Sequence, residues 1–380
     1  MGFLKELTII IPASNKKTFI IRNMNFWSQY EATLFVLDGG KCKIDDCIIS
    51  KLGDNIRYYY LPISLHYQLL SVGTLITTKY VILLDEEDFF LPSGLEACIN
   101  EIENSDIGSC SGRSLVFSKT NNLVNVYFPK SPNISFDEYY LTDESAISRL
   151  KTHTYMYSYL CSTLHSVTKK EFFLNNIDSL RYAPPLVQRS SHLAFEMLNS
   201  FQSKSKVINS LTLIKSNVFS NIFDDYALRE SKKIPLQYWL IDNFFTKERN
   251  NFIFNLVKNL NKINPHFNLI LLEREVKIAF SLYFQSAVKY LNKPDISRFM
   301  YLLAKYSTKI PYLKYLSPQI IDRFLLKIKY LFNKNLSKKI VEMPIIEPEK
   351  GPNGIKDLCL KYNVKFNFEE IKLIENLILD

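Results

Sequence analysis

The sequence predicts an α/β domain, a mainly parallel sheet with helices on both faces, followed by a mostly α-helical C-terminal region. Three observations carry this. Short apolar, β-rich runs alternate with helical stretches over the first third of the chain, the order that builds parallel sheets with right-handed crossovers. Eight of the ten glycines lie at or before Gly112, and the other two are Gly351 and Gly354; tight α/β turns need glycine where helices do not. From about 235 to 340 the pattern is long and helical, with aromatics and lysines interleaved.

The elements follow in order. LTIIIPA (7–13) is β-rich and, but for Thr8, apolar, a strand buried on both faces and stopped at Pro12. Residues 16–30 carry a helical mix, and ATLFVLD (32–38) is a second buried strand ended by Gly39 and Gly40. NIRYYYLP (55–62) is a third. Residues 64–78 form a helix whose Leu65, Leu69, Leu70 and Val72 share one face. YVILL (80–84) is the fourth strand, and Pro92 then opens a helix over about 93–104. SCSGRSLVFS (109–118) and NLVNVYFP (122–129) read as a strand pair. Helices are expected over 144–160 and 186–201, with a late strand at 206–216. MPIIEPEKGPNG (343–354) has linker composition, and NFEEIKLIENLIL (367–379) is a closing helix with Asn367 as N-cap and Glu370 three residues on.

The bulk numbers narrow the function. At 380 residues the chain holds two or three domains, and 47% hydrophobic with 22% charged residues is a globular composition. A net charge of +9 favours an anionic partner. No nucleic acid is expected, because the basic residues are scattered and no nucleic-acid-binding signature appears. MGFLKELTIIIPAS is too short and too β-like for a signal peptide, and no uncharged apolar stretch is long enough to span a bilayer. The six cysteines are dispersed, and Cys42 and Cys47 lack partners at zinc-binding spacing. A cytoplasmic protein, at most peripheral at the inner face of the plasma membrane, is expected.

The chemistry gathers at strand ends. Asp85, Glu86, Glu87 and Asp88 follow the fourth strand directly. Such a run is either a solvated turn or a site for a hard divalent cation, which takes carboxylate oxygens together with substrate phosphates. Asp85 and Glu87 have the spacing that aims alternate side chains at one ion, with Asp88 in support and Glu86 facing water. Asp38, before Gly39 and Gly40, is either a turn aspartate or an acceptor for a nucleobase or ribose. Glu196 is an acid on an otherwise apolar helix, a candidate general base or a residue of the wet edge; His192 shares its face one turn earlier. His165 is a lone histidine, most simply structural. No G-x-S-x-G, Walker loop, G-x-G-x-x-G or H-E-x-x-H occurs. The lysine-aromatic helices, with Lys277, Phe280, Tyr283, Phe284, Lys289 and Tyr290, read as a helical core with snorkelling lysines or as a surface for an anionic membrane.

In their order and spacing LTIIIPASN, FVLDGG, RYYYLP and TKYVILLDEEDFFLPSGLEACINEI resemble the nucleotide-binding half of family 2-type inverting glycosyltransferases of the GT-A fold. GSCSGRSLVF is similar to a bacterial polysaccharide-biosynthesis subgroup. The resemblance is good over about 5–118, thinner to about 217 and absent beyond. It implies that Pro12, Ala13 and Asn15 line the nucleotide site and that Asp38 contacts the base. It implies that Asp85 and Glu87 are the D-x-D pair, whose last member binds a Mn2+ or Mg2+ ion bridging the donor's diphosphate; here that member is Glu. The family's base lies about ten residues before a G-K-hydrophobic turn. Here that turn reads SKSKVI and Glu196 is the match, with His192 the alternative.

The expected partition is a GT-A domain over 1–220 (nucleotide-sugar half 5–118, acceptor half 119–220), a helical domain over 221–342, and a linker with closing helix over 343–380. The implied function is inverting sugar transfer from a nucleotide-sugar donor to a glycan or lipid-linked acceptor in capsule or O-antigen synthesis, with the C-terminal helices at an anionic membrane surface. Two alternatives stand beside it. One is a non-catalytic GT-A-like nucleotide-binding scaffold. The other is a nucleotidyltransferase, whose glycine-rich phosphate loop is missing from IPASNKK.

Overall fold

The computed structural model describes residues 2–13, 16–63, 65–120, 123–128, 140–156, 163–180, 190–216, 245–290, 349–350 and 354–379. Strand β1 (Leu7–Ala13) leads through α1 (Lys17–Trp27) to β2 (Thr33–Asp38), and the short α2 (Asp46–Ile49) precedes β3 (Ile56–Tyr60). After α3 (Leu65–Gly73) come β4 (Tyr80–Leu83), the two-residue β5 (Phe89–Phe90) and α4 (Pro92–Glu103). Strands β6 (Ser109–Thr120) and β7 (Leu123–Tyr127) form the expected antiparallel pair. Then follow β8 (Tyr140–Leu141), α5 (Ala146–Met156), β9 (Val167–Lys169), α6 (Lys170–Leu180), α7 (Ser190–Gln202) and β10 (Ser205–Ser216). The C-terminal region adds α8 (Thr246–Ile263), α9 (Leu269–Tyr290), β11 (Glu349–Lys350), α10 (Gly354–Lys361) and α11 (Phe368–Leu379).

The strands form one sheet in the order β11-β7-β6-β9-β4-β1-β2-β3, with β10 parallel to β6. The half made of β4, β1, β2 and β3 is wholly parallel. The short β9 enters antiparallel between β4 and β6.

Alternation along β1 explains its near-continuous apolar run. Ile9 and Ile11 join one core with Leu34, Val36, Leu95 and Ile99 under α1 and α4. Ile10 joins the opposite core with Phe35, Leu37, Leu69 and Phe173 under α3 and α6. A strand covered on both faces has no polar side. A third core joins α5 and α7 to α8 and α9, with Leu150, Met197, Phe252, Leu256, Val276 and Phe280 buried together. Phe280 and Tyr283 are therefore core residues, while Lys277 pairs with Glu273 one turn away on a half-exposed face. Of the other members of that lysine-aromatic set, the side chains of Phe284, Lys289 and Tyr290 lie outside the described residues.

The closing segment is no appendage. Ile355, Leu358, Val364, Ile371 and Ile374 belong to the first core. Lys365 bridges to Ser210 beside β10, where the Leu211 amide donates to its carbonyl at 2.8 Å. Asn367 caps α11 through the Glu369 amide (3.0 Å), and its side chain also donates to Glu370 (3.2 Å). Glu370 chiefly caps a different helix: its carboxylate accepts from the amide and hydroxyl of Ser93 at the start of α4, at 3.0 and 2.7 Å. Leu91, the N-cap of α4, supplies no such bond, so the orphan amides there are met from the far end of the chain. Gly94 permits the packing of α4 on β10, since a Cβ there would lie 2.2 Å from the Leu211 carbonyl oxygen.

Candidate donor-binding site

The carboxyl ends of β1, β2 and β4 lie side by side, with Ala13 in register with Asp38. Ligands on parallel sheets bind at this edge. Pro12 is half-buried and Ala13 buried, while Asn15 lies outside the described residues.

Asp38 is buried at 1% exposure. One of its oxygens accepts from the Gly40 amide at 2.8 Å, and the other takes the Tyr58 hydroxyl. Burial first, and then the bond to Asp38, push the Tyr58 phenol well above its usual range. The Gly39 amide donates to the Ala13 carbonyl at 2.8 Å, binding the two strand ends together. A Cβ on Gly39 would come within 2.6 Å of Gln68 Nε2 and 3.3 Å of the Ala13 carbonyl oxygen, so Gly39 permits a close approach of three segments. Asp38 thus ties the carboxyl end of β2 to Gly40 and to Tyr58 of β3.

The four acids after β4 are arranged otherwise than the D-x-E spacing implies. The amide of Asp88 donates to the carbonyl of Asp85 at 3.0 Å, so residues 85–88 form a turn. Strand alternation, which would have aimed Asp85 and Glu87 together, does not operate inside a turn. Glu87 forms an ion pair with Lys16 from the loop after β1, and its carbonyl accepts from Arg22 at 3.0 Å. The Arg22 guanidinium stacks on Phe19 and Phe89, at 4.6 and 4.2 Å. Burial lowers its pKa to about 10 against the pull of Asp88 and Glu87. Glu86, expected to face water, is 9% exposed and its carbonyl accepts from Asn23 at 2.9 Å.

The acids that converge are Asp85 and Asp88. Each presents Oδ2 at 3.7 Å from the Lys215 ammonium. Asp88 is buried at 1% and its Oδ1 accepts from the Ser216 amide at 2.8 Å. Its Oδ2 is buried without a hydrogen-bond partner; the Lys215 ammonium is in ion-pair reach of it, and the Arg22 guanidinium is a further positive charge acting on Asp88. Burial pushes the Asp88 carboxyl up to about 7, against the lowering effect of Lys215. His165 completes the group. Its Nδ1–H donates to the Leu83 carbonyl at 3.0 Å, and Nε2 stands 3.3 Å from Lys215 Nζ and 3.6 Å from Asp85 Oδ2. A carbonyl only accepts, so the proton sits on Nδ1 and Nε2 offers a lone pair. Neither His165 nor Lys215 carried a sequence signal beyond its residue type.

The expected divalent ion does not fit between Asp85 and Glu87 in this arrangement, because their carboxylates engage different cations, Lys215 and Lys16. Among the described residues no cluster of three or more His, Cys, Asp or Glu side chains is disposed to hold a metal.

Glu196 does not sit at a wet edge. It is fully buried on α7. Its Oε2 accepts from His153 Nε2 (2.7 Å), the Thr163 amide (2.8 Å) and the Thr163 hydroxyl, and its Oε1 accepts from the Leu164 amide (3.0 Å). These donors hold the turn that ends in His165. The side chain of His192 lies outside the described residues.

No protein-family model matches the chain, and no curated protein matches it. Solved structures do share its fold. A crystal structure of S. aureus TarS, residues 1–349, aligns at TM-score 0.51 and 10% identity, covering 89% of this chain and 95% of that one. The same TarS fragment in complex with UDP-GlcNAc aligns at TM-score 0.52 and 12% identity, covering 86% of this chain and 91% of that one. At such identities the likeness is one of fold: a GT-A-type α/β sheet with helices on both faces, followed by a helical region.

Proposed function

We propose that this chain is a glycosyltransferase that takes a nucleotide-sugar donor and passes the sugar to a glycan or lipid-linked acceptor with inversion, in bacterial surface polysaccharide synthesis. One observation carries the reading. Asp38 at the end of β2 and the Asp85, Asp88, His165 and Lys215 group at the end of β4 share one edge of a parallel sheet, in a fold that TarS presents in complex with UDP-GlcNAc. On this reading the nucleoside lies over the strand end that Asp38 organises, and Lys215 of the charged group meets the diphosphate. In an inverting transfer a single in-line displacement at the anomeric carbon breaks the bond to the diphosphate as the acceptor oxygen attacks from the opposite face.

The test is donor turnover. Asp85→Ala is expected to lower transfer or donor hydrolysis at least about 100-fold, the usual scale for removing a group that orders transition-state charge. Turnover equal to the parent would overturn the catalytic reading.

One observation favours a second reading, a nucleotide-binding scaffold: Glu196 is enclosed, and a base must reach the acceptor hydroxyl. We assign Glu196 to positioning His165, with the acceptor proton passing to another group. Calorimetric binding of a nucleotide sugar without turnover would favour the scaffold.

Among the described residues no helix is long and apolar enough to cross a membrane. A peripheral contact with anionic lipid is supported by the exposed Leu269, Ile270 and Leu271 that open α9, and by Phe254 under Lys258 on α8. Ile270, 79% exposed, is the point to test. Ile270→Glu is expected to reduce flotation with anionic vesicles at least about threefold, since it removes buried apolar area and adds a like charge; unchanged flotation would exclude this surface.

A further inference from the structure

We propose that Lys215 is the resident cation of the donor site: its ammonium, held by Asp85, Asp88 and His165, binds the donor's diphosphate in the place where a divalent ion is expected. The inference rests on the nucleotide-sugar reading above and deepens it.

The placement of Lys215 is built into the sheet. Strand β10 pairs antiparallel with β5, with Ile214 opposite Phe89. The Ser216 amide then closes on Asp88 Oδ1 at 2.8 Å. These backbone bonds, on either side of Lys215, fix its Cα against the 85–88 turn. Its ammonium lies 3.7 Å from both carboxylates and 3.3 Å from His165 Nε2. A lysine carries three N–H donors and no acceptor. The carboxylate distances are those of ion pairs, too long for hydrogen bonds, so with one donor on His165 Nε2 the ammonium can turn the other two toward phosphate oxygens without breaking a bond to either acid. Its side chain is 27% exposed, open enough to meet a ligand.

An ammonium and a divalent ion compete for this place. A metal bound to Asp85 and Asp88 would stand within a few ångströms of Lys215 Nζ, where like charges repel strongly. Asp88 is the decisive acid. Its Oδ2 is buried without a hydrogen-bond partner, and a buried charge without a counter-charge is costly. The sequence itself supplies that counter-charge. His165 adds a lone pair on the third side, with its tautomer set by the Leu83 carbonyl.

The experiment is calorimetric titration of the full chain with UDP, GDP and CDP, in EDTA and in Mn2+, for the parent, Lys215→Met and Lys215→Arg. The parent is expected to bind one of these nucleotides in EDTA, with affinity changed less than about threefold by Mn2+. Lys215→Met is expected to lose at least about tenfold in EDTA, roughly 1.4 kcal/mol, and to regain part of it in Mn2+ because Asp85 and Asp88 are released. Lys215→Arg, which keeps the charge, is expected to stay within about threefold of the parent in EDTA. Thermal melts monitor folding, and Lys215→Gln replaces the Met variant if that variant does not fold. Binding that requires Mn2+ in the parent and is unchanged in Lys215→Met would overturn the proposal alone. No binding of any of the three nucleotides in either buffer would overturn the nucleotide-sugar reading, and this proposal with it.

Discussion

A chain ending at residue 353 is expected to lose the cooperative unfolding of its nucleotide-binding half. Residues 354–379 place Ile355, Leu358, Val364, Ile371 and Ile374 in the core that also holds Ile9, Leu34 and Ile82. Burying an aliphatic side chain contributes about 1.5–3 kcal/mol, so these five represent roughly 8–15 kcal/mol as an upper bound. Whole domains are stable by only about 5–15 kcal/mol. Truncation also removes Glu370 from the α4 N-terminus and Lys365 from the side of β10. The expected outcome is a non-cooperative thermal melt by circular dichroism and no nucleotide binding. A truncated chain that melts cooperatively within a few degrees of the parent would show that the packing of 354–379 is dispensable. Removing 235–380 to test membrane contact would thus damage the donor domain itself, which is why a surface substitution on α9 is the better probe.

The same packing marks the limit of what the sequence made legible. Strands β1, β2 and β4 were readable because both faces are covered, which leaves near-continuous apolar runs such as LTIII and YVILL. Asp38 and the acids after β4 were readable because a carboxylate ending such a run lies at the ligand edge of a parallel sheet. What the acids do there was not readable. The choice between Asp85 with Glu87 and Asp85 with Asp88 depends on whether 85–88 continues the strand or turns, and the turn is held by bonds to distant residues: Asn23, Arg22 and Ser216. Lys215 closes on acids more than a hundred positions earlier, and LTLIKS by itself marks only a strand end. The three residues of β9 are too few for any period to show. Glu196 did carry a signal, an acid on an apolar helix. That His153 and the Thr163 turn enclose it was not readable, since both lie more than thirty positions earlier.

Glu196→Ala is expected to destabilise the protein by about 3–5 kcal/mol, the range for breaking a buried charged network. The amides of Thr163 and Leu164, the Thr163 hydroxyl and His153 Nε2 would all lose their acceptor in a site without water access. At about 2–4 °C per kcal/mol for a domain of this size, the melting temperature falls by roughly 10 °C. Activity falls with it, because the freed turn carries His165 away from Lys215 and Asp85. A base and an anchor separate in the amide variant. Glu196→Gln keeps the shape and one acceptor oxygen but sets an NH2 against hydrogen-bond donors. As an anchor it lowers the melting temperature, weakens nucleotide binding and leaves the acidic limb of the pH–rate profile in place. As a base it would melt like the parent and bind donor normally, while kcat drops by about a thousandfold and that limb disappears. The enclosed carboxylate points to the first pattern. A parental melt together with a lost acidic limb would return Glu196 to the chemistry and require its cage to open during turnover.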